Sequence, residues 1–197
     1  MVLHTESYDC ILPAAGESTR MGDWKLMLPF DGETVVERSV RNALGFCSRV
    51  ILVVGFRGEE MSRLFSGRPE VKVVTNTEYS FGMFSSIQCG AREVTTDRFF
   101  ISLADMPLIP ASIYRSLAEL PHATAGWAAA RPFFHGSKGH PVLLSRAVID
   151  KILQFNKSHT MQDVLQGLPL SRLETEEIGV VQDIDDPNDY RDLSRLR

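Results

Sequence analysis

The chain has no hydrophobic run long enough to cross a bilayer. Its longest apolar stretches, "VILVVGF" and "FFISLA", fall far short of the ~20 residues that a spanning helix needs. Cysteine is scarce: Cys10, Cys47 and Cys89 lie far apart without CxxC spacing, which argues against a zinc site or a disulfide framework. Positive charge is not in excess, the net charge being -4, so general electrostatic attraction to nucleic acid or anionic lipid is excluded. The opening "MVLHTESYD" lacks the basic and apolar segments of a secretory signal, and no repeat, low-complexity tract or linker interrupts the 197 residues. These absences predict one cytoplasmic domain with reduced thiols and with neither nucleic acid nor membrane as a partner.

What is there is an alternation of short apolar, β-branched runs with stretches of helical period. "YDCILPA", "RVILVVG", "VKVVTN" and "RFFISLA" read as strands. Helical patterns lie between them, at about 33–45, 59–65 and 83–94. Continuous apolar strands separated by helices indicate a mostly parallel sheet covered on both faces, doubly wound by right-handed crossovers. The second half continues with the helix "ASIYRSLAEL", the segments "GWAAARPFF" and "HPVLLS", a helix near 146–153 and a final strand "EIGVVQDI". Short candidate strands surround "FFHGSKGH".

The loop after the first strand, "PAAGESTRMGDWKLMLP", combines Gly16 and Gly22 with Arg20 and Lys25. In open α/β sheets ligands bind beyond the carboxyl ends of the strands, where this loop must lie. Free backbone N–H groups and the two cationic side chains suit phosphate oxygens. The spacing is neither a Walker A loop nor GxGxxG. A tight turn carrying solvated Arg and Lys is the plain alternative.

Asp105 follows "FFISLA" directly, and Asp183 and Asp185 follow the expected strand "EIGVVQ". Carboxylates at strand ends on one sheet edge are what Mg²⁺ bridging nucleotide phosphates requires. Helix capping is the competing use of Asp105 before Pro107 and of Asp186 before Pro187. Ser85 and Ser86 stand ready to cap the helix that begins near Met83, whose N-terminus would otherwise hold a phosphate. Trp24 suits either a base or a cover over the core, and Met21, Met27, Met83 and Met106 read as adaptable packing.

"LPAAGESTRMGDWKLMLP" resembles the signature loop of the MobA-like nucleotidyltransferases, LxAGGxSxRMG followed by a lysine and an apolar-Pro segment. "NTEYSFGMFSSIQCGA", "LADMPLI", "GSKGHPVLLS" and "DIDDPNDY" resemble four further family segments in the same order. Within that superfamily the chain is most similar to the molybdenum cofactor cytidylyltransferases. The resemblance implies a single Rossmann-like α/β three-layer sandwich, with a nucleotide-binding half at about 8–105 and an acceptor-binding half at about 106–197. It implies transfer of CMP from CTP to molybdopterin, with release of pyrophosphate and with Mg²⁺, or Mn²⁺ in its place, as the metal. By carry-over, Arg20, Lys25 and Asp105 are catalytic, and Pro13, Ala14, Ala15, Gly16, Arg20, Gly22, Lys25, Gly82 and Ser86 bind the nucleotide. Asp105 with Asp185 or Asp183 holds the metal, and Lys138, Gly139 and His140 face the acceptor, His140 satisfying a turn in the alternative. "PAAG" in place of LAGG favours CTP over GTP or ATP, with Pro13 departing from the usual Thr or Leu. Two other functions stay open: transfer to another phosphorylated acceptor such as a sugar phosphate, and a cofactor carrier that delivers to a recipient molybdoenzyme.

Overall fold

The computed structural model describes residues 6–17, 21, 24–120 and 127–193. Its first strand, β1 (Asp9–Ala14), is apolar after Asp9 and lies inside the sheet. A β-hairpin of β2 (Pro29–Phe30) and β3 (Glu33–Thr34) leads into α1 (Val35–Leu44). Thr34 opens α1 with a reciprocal cap: its hydroxyl accepts from the Glu37 N–H at 3.3 Å, and the Glu37 carboxylate accepts from the Thr34 N–H at 2.9 Å. Such a cap stabilises a helix by about 1 kcal/mol. The chain continues through β4 (Arg49–Val54), α2 (Gly58–Leu64), β5 (Val71–Thr75), α3 (Met83–Ala91), β6 (Arg98–Ile101) and α4 (Ala111–Glu119). Next come β7 (Ala129–Phe134), β8 (Ser137–Lys138), β9 (Val142–Ser145), α5 (Val148–Gln154), α6 (Met161–Leu165), β10 (Leu170–Glu174) and α7 (Pro187–Leu193).

The main sheet has the order β10-β7-β9-β6-β1-β4-β5, with β8 paired to β7. β1 pairs in parallel with β4 and β6, β4 with β5, and β10 with β7, while β9 runs antiparallel between β6 and β7. Side-chain alternation then builds two cores. Cys10, Leu12, Val50, Leu52 and Phe100 pack toward α1, α2 and α4, whereas Ile11, Ile51, Val53, Phe99 and Ile101 pack toward α3, α5 and α6. This is the three-layer α/β sandwich with a mostly parallel sheet that the strand pattern predicts.

Helix α3 sits close enough to the sheet to require a glycine. A Cβ on Gly90 would lie 2.6 Å from Ile11 Cγ2, so the helix would have to lift. One expectation fails at the C-terminal end. "EIGVVQDI" is not a strand: Ile178–Val180 forms a single 3₁₀ turn. Gly179 lies so near Leu108 that a Cβ there would meet its carbonyl oxygen at 2.5 Å. The apolar run packs against Leu108 and β7 rather than joining the sheet, and periodicity cannot separate those uses over so few residues. The last strand is instead the edge strand "LSRLE", whose polar, alternately exposed residues conceal it.

The opposite end of β1 carries a buried ion pair. Arg49 donates to Asp9 through Nε at 2.9 Å and Nη2 at 2.8 Å, and the Thr95 N–H adds a bond at 2.7 Å. Burial alone would raise the Asp9 carboxyl, but the Arg49 fork and Thr95 outweigh it and hold the group below its usual range. Arg49→Met should therefore cost about 3 kcal/mol near pH 7, since it strands a buried carboxylate. The wild-type contribution is complete above the ordinary carboxylate pKa of about 4 and fades as pH falls through the lower folded value. Urea titrations of both proteins at neutral and acidic pH should show the gap shrinking below about pH 4.

Candidate active site

The carboxyl ends of β1 and β6 open into a cleft of about 400 Å³, within the ordinary size range of small-molecule sites. It is lined by Pro13, Ala14, Ala15 and Gly16 from the end of β1, by Gly82, Met83 and Ser86 from the start of α3, and by Lys25, Asp105, Asp183 and Asp185. Arg20 and Gly22, the remaining predicted residues of the loop, lie outside the described residues.

Three segments distant in sequence meet around Lys25, which begins the 3₁₀ turn Lys25–Met27. Its Nζ lies 2.7 Å from Asp105 Oδ2 and 3.2 Å from Asp185 Oδ1. Burial by itself would lower the ammonium pKa; the two carboxylates reverse this and raise it, so Lys25 is charged throughout the neutral range. Asp105 is carried by the loop leaving β6 and does not cap the following helix, which starts at Ala111 behind Pro110.

Asp183 and Asp185 reach the same place by a different route from the strand alternation expected of them. Between them Ile184 is fully buried, and its N–H donates to the Asp105 carbonyl at 3.1 Å. That bond ties the segment to the loop after β6 and leaves a carboxylate on each side of the anchor. Asp186 takes the capping role, accepting from the N–H groups of Asn188 at 2.6 Å and Asp189 at 3.1 Å, while Asp189 accepts from those of Asp185 and Asp186.

Asp105, Asp183 and Asp185 each present an oxygen within 4.8 Å of the others. Burial and the two neighbouring charges push the Asp183 carboxyl above its usual range. An all-oxygen set of this charge, partly solvated, fits a hard divalent cation such as Mg²⁺ or Mn²⁺ that keeps some water in its shell.

The start of α3 is organised by Asn76, a residue that no motif in the sequence singles out by itself. Its N–H donates to Val54 O at 2.7 Å, and its side-chain amide donates to Ser85 Oγ at 2.9 Å and Ser86 Oγ at 3.1 Å. The two serines therefore do not cap α3; Ser85 instead donates to the Gly82 and Glu78 carbonyls. Gly82 itself occupies φ +98°, open to glycine but strained for other residues. Tyr79, likewise not singled out by the sequence, stacks over Gly55 so tightly that a Cβ there would lie 2.6 Å from its ring. Trp24 is buried edge-on to Phe56, with Arg57 over its ring, and covers the core.

Lys138, Gly139 and His140 do not line this cleft. Lys138 is exposed on β8, Gly139 packs against Val180, and His140 donates its backbone N–H to Val180 O at 2.7 Å. The His140 ring is half-buried with Nδ1 enclosed. Burial, aided by the Arg131 charge, depresses its pKa to about 4, so it is neutral at physiological pH.

Asn76→Ala should leave the Ser85 and Ser86 hydroxyls short of a partner and destabilise the protein by about 1–3 kcal/mol. Faster amide hydrogen exchange confined to the first turn of α3 and the end of β5 is the expected signature, to be read by mass spectrometry.

The MobA-like NTP transferase domain family matches residues 10–175. The chain is 36% identical over 183 residues to the molybdenum cofactor cytidylyltransferase of Escherichia coli K12, covering 92% of this chain and 93% of that protein. It is 33% identical over 100 residues to the nicotine blue oxidoreductase of Paenarthrobacter nicotinovorans, covering 49% of this chain and 48% of that one. Among solved structures, Rv0371c of Mycobacterium tuberculosis H37Rv in complex with manganese shares the fold, with a TM-score of 0.79 at 20% identity over 97% of this chain and 100% of that one. A family match across most of the chain, joined to a full-length relative of this identity, makes the protein a member of the MobA-like NTP transferase family.

Proposed function

We propose that the protein transfers CMP from CTP to the terminal phosphate of molybdopterin, forming the cytosine dinucleotide and pyrophosphate. The observation that carries this reading is the convergence of Lys25 with Asp105, Asp183 and Asp185 at the end of the opening loop. Such a set serves a nucleoside triphosphate and its cation. The similarity over nearly the full length to the E. coli cytidylyltransferase supports the choice of nucleotide and acceptor.

A phosphate monoester has its second pKa near 6, so the acceptor is already anionic at neutral pH and needs no general base. The tasks left to the protein are alignment of two anions and compensation of charge on the transferring group. In this reading Pro13, Ala14, Ala15 and Gly16 hold the nucleotide against the end of β1, and Gly82 and Ser86 close its other side. Arg20 and the loop through Gly22 contribute to the β and γ phosphates. Lys25 exchanges its carboxylate partners for the α-phosphate and its developing charge. Asp105 with Asp185 or Asp183 would hold Mg²⁺, which when bound would neutralise phosphate charge as a Lewis acid. Discrimination of cytosine falls to the tight backbone at Ala14 and Ala15. Division of the chain into a nucleotide half and an acceptor half follows from the same assignment.

Purified protein with Mg²⁺, molybdopterin and each of CTP, GTP and ATP should form dinucleotide and pyrophosphate with CTP preferred. Asp105→Asn and Lys25→Met should each lower kcat by about 10²–10³, the scale of losing one preorganised electrostatic group. Absence of turnover with every nucleotide would sink this reading in favour of a different acceptor or a carrier role. Chelation followed by readdition of Mg²⁺ or Mn²⁺ should abolish and then restore product formation.

A further inference from the structure

Arg131 is the one buried cation of the fold, among the described residues, that the cleft and the ion pairs leave unexplained. It stands in the middle of β7 with about 8% of its surface exposed. Its Nε and Nη2 donate to a single acceptor, the Gly139 carbonyl, at 3.2 and 2.8 Å. No carboxylate pairs with it among the described residues, and burial alone moves its pKa, downward. A guanidinium offers five N–H donors and keeps its charge in any protein environment. Charges taken out of water are ordinarily paired or held for a ligand, because an uncompensated one is costly. Gly139 neutralises none of this charge.

A second polar group in the same neighbourhood is also incomplete. The Arg131 charge acts on the His140 ring, and His140 Nδ1 is enclosed without a hydrogen-bond partner among the described residues. A cation with spare donors thus stands beside an imidazole nitrogen that lacks a partner among the described residues.

The pair lies on the side of the cleft away from the nucleotide loop. Register through β9 sets Ala129 level with Phe99 and Ala130 level with Phe100, so Arg131 stands level with Ile101, four residues before Asp105. Two strand spacings, roughly 10 Å, separate β7 from β6. Ala129 packs toward α3 and Ala130 toward α4, so alternation puts Arg131 on the α3 face, the face from which Met83 and Ser86 enter the cleft.

We propose that Arg131, flanked by His140, is the anion-binding residue that receives the phosphate monoester of the acceptor. This rests on the transfer reaction proposed above, while anion binding itself does not. The guanidinium would present its remaining N–H groups to the phosphate oxygens and, with the Gly139 carbonyl as its brace, fix the direction from which the acceptor enters. The site is built across β7 and the turn before β9.

Inorganic phosphate is the probe for the first arm. Titrated into the full-length protein carrying labelled histidine, it should shift the His140 imidazole resonances saturably. Arg131→Met should weaken that response by about tenfold or more, and Arg131→Lys should retain part of it, because a point charge replaces the fork. In the second arm, turnover with CTP and molybdopterin, Arg131→Met should raise the acceptor KM by about tenfold while leaving the CTP KM within about twofold. A His140 signal indifferent to phosphate in the wild type overturns the proposal, and that measurement needs no variant to fold. Equal acceptor KM values in wild type and Arg131→Met overturn it as well, reducing Arg131 to a brace for Gly139. If no nucleotide turns over yet phosphate shifts His140 in an Arg131-dependent way, the anion site stands and only the transfer reading falls.

Discussion

Carboxylates held within a few ångströms of each other repel, and the partial burial of Asp105 and Asp185 strengthens that repulsion by excluding water. Around this constraint the cleft is arranged. Lys25 meets it with a cation at 2.7 Å from Asp105, and the Asp183 carboxyl responds by holding its proton more tightly than usual. A site built this way favours any ligand that brings positive charge in exchange for the lysine, which is how a metal-nucleotide complex differs from a free triphosphate.

The rest of the fold supplies the rigidity that keeps the repelling groups in place. β1 is buried on both faces and ends at the cleft, so its last residues and the loop beyond have a fixed origin. The Ile184 N–H bonded to the Asp105 carbonyl, with Ile184 itself in the core, staples the C-terminal segment to the loop leaving β6. Asn76 does the same between β5 and α3. Each support is a backbone or amide hydrogen bond shielded from solvent, where the cost of leaving it unmade is greatest.

Much of this was legible in the residues. The strands β1, β4 and β6 announce themselves because their apolar runs are continuous and burial on both faces leaves little alternation to confuse them, and the edge strand β5 because it is rich in valine. The chemical candidates Lys25, Asp105, Asp183 and Asp185 were visible as charges at strand ends and turns. Less legible was the segment 178–185, whose apolar run packs against Leu108 and β7 where a strand was expected. β10 escaped notice for the converse reason, a polar edge strand carrying little hydrophobic signal.

The sequence by itself determined the layer architecture, the sheet edge at which chemistry gathers and the residue types gathered there. These follow from hydrophobic periodicity and from turns that must fall at strand ends. Only the tertiary structure decided that Lys25 bonds Asp105 across eighty residues and Asp185 across twice that, that Asn76 rather than a serine organises α3, and that the buried Arg131 donates, among the described residues, to the Gly139 carbonyl alone. Such pairings depend on which segments the closed core brings within about 3 Å of one another, and no local pattern carries that distance.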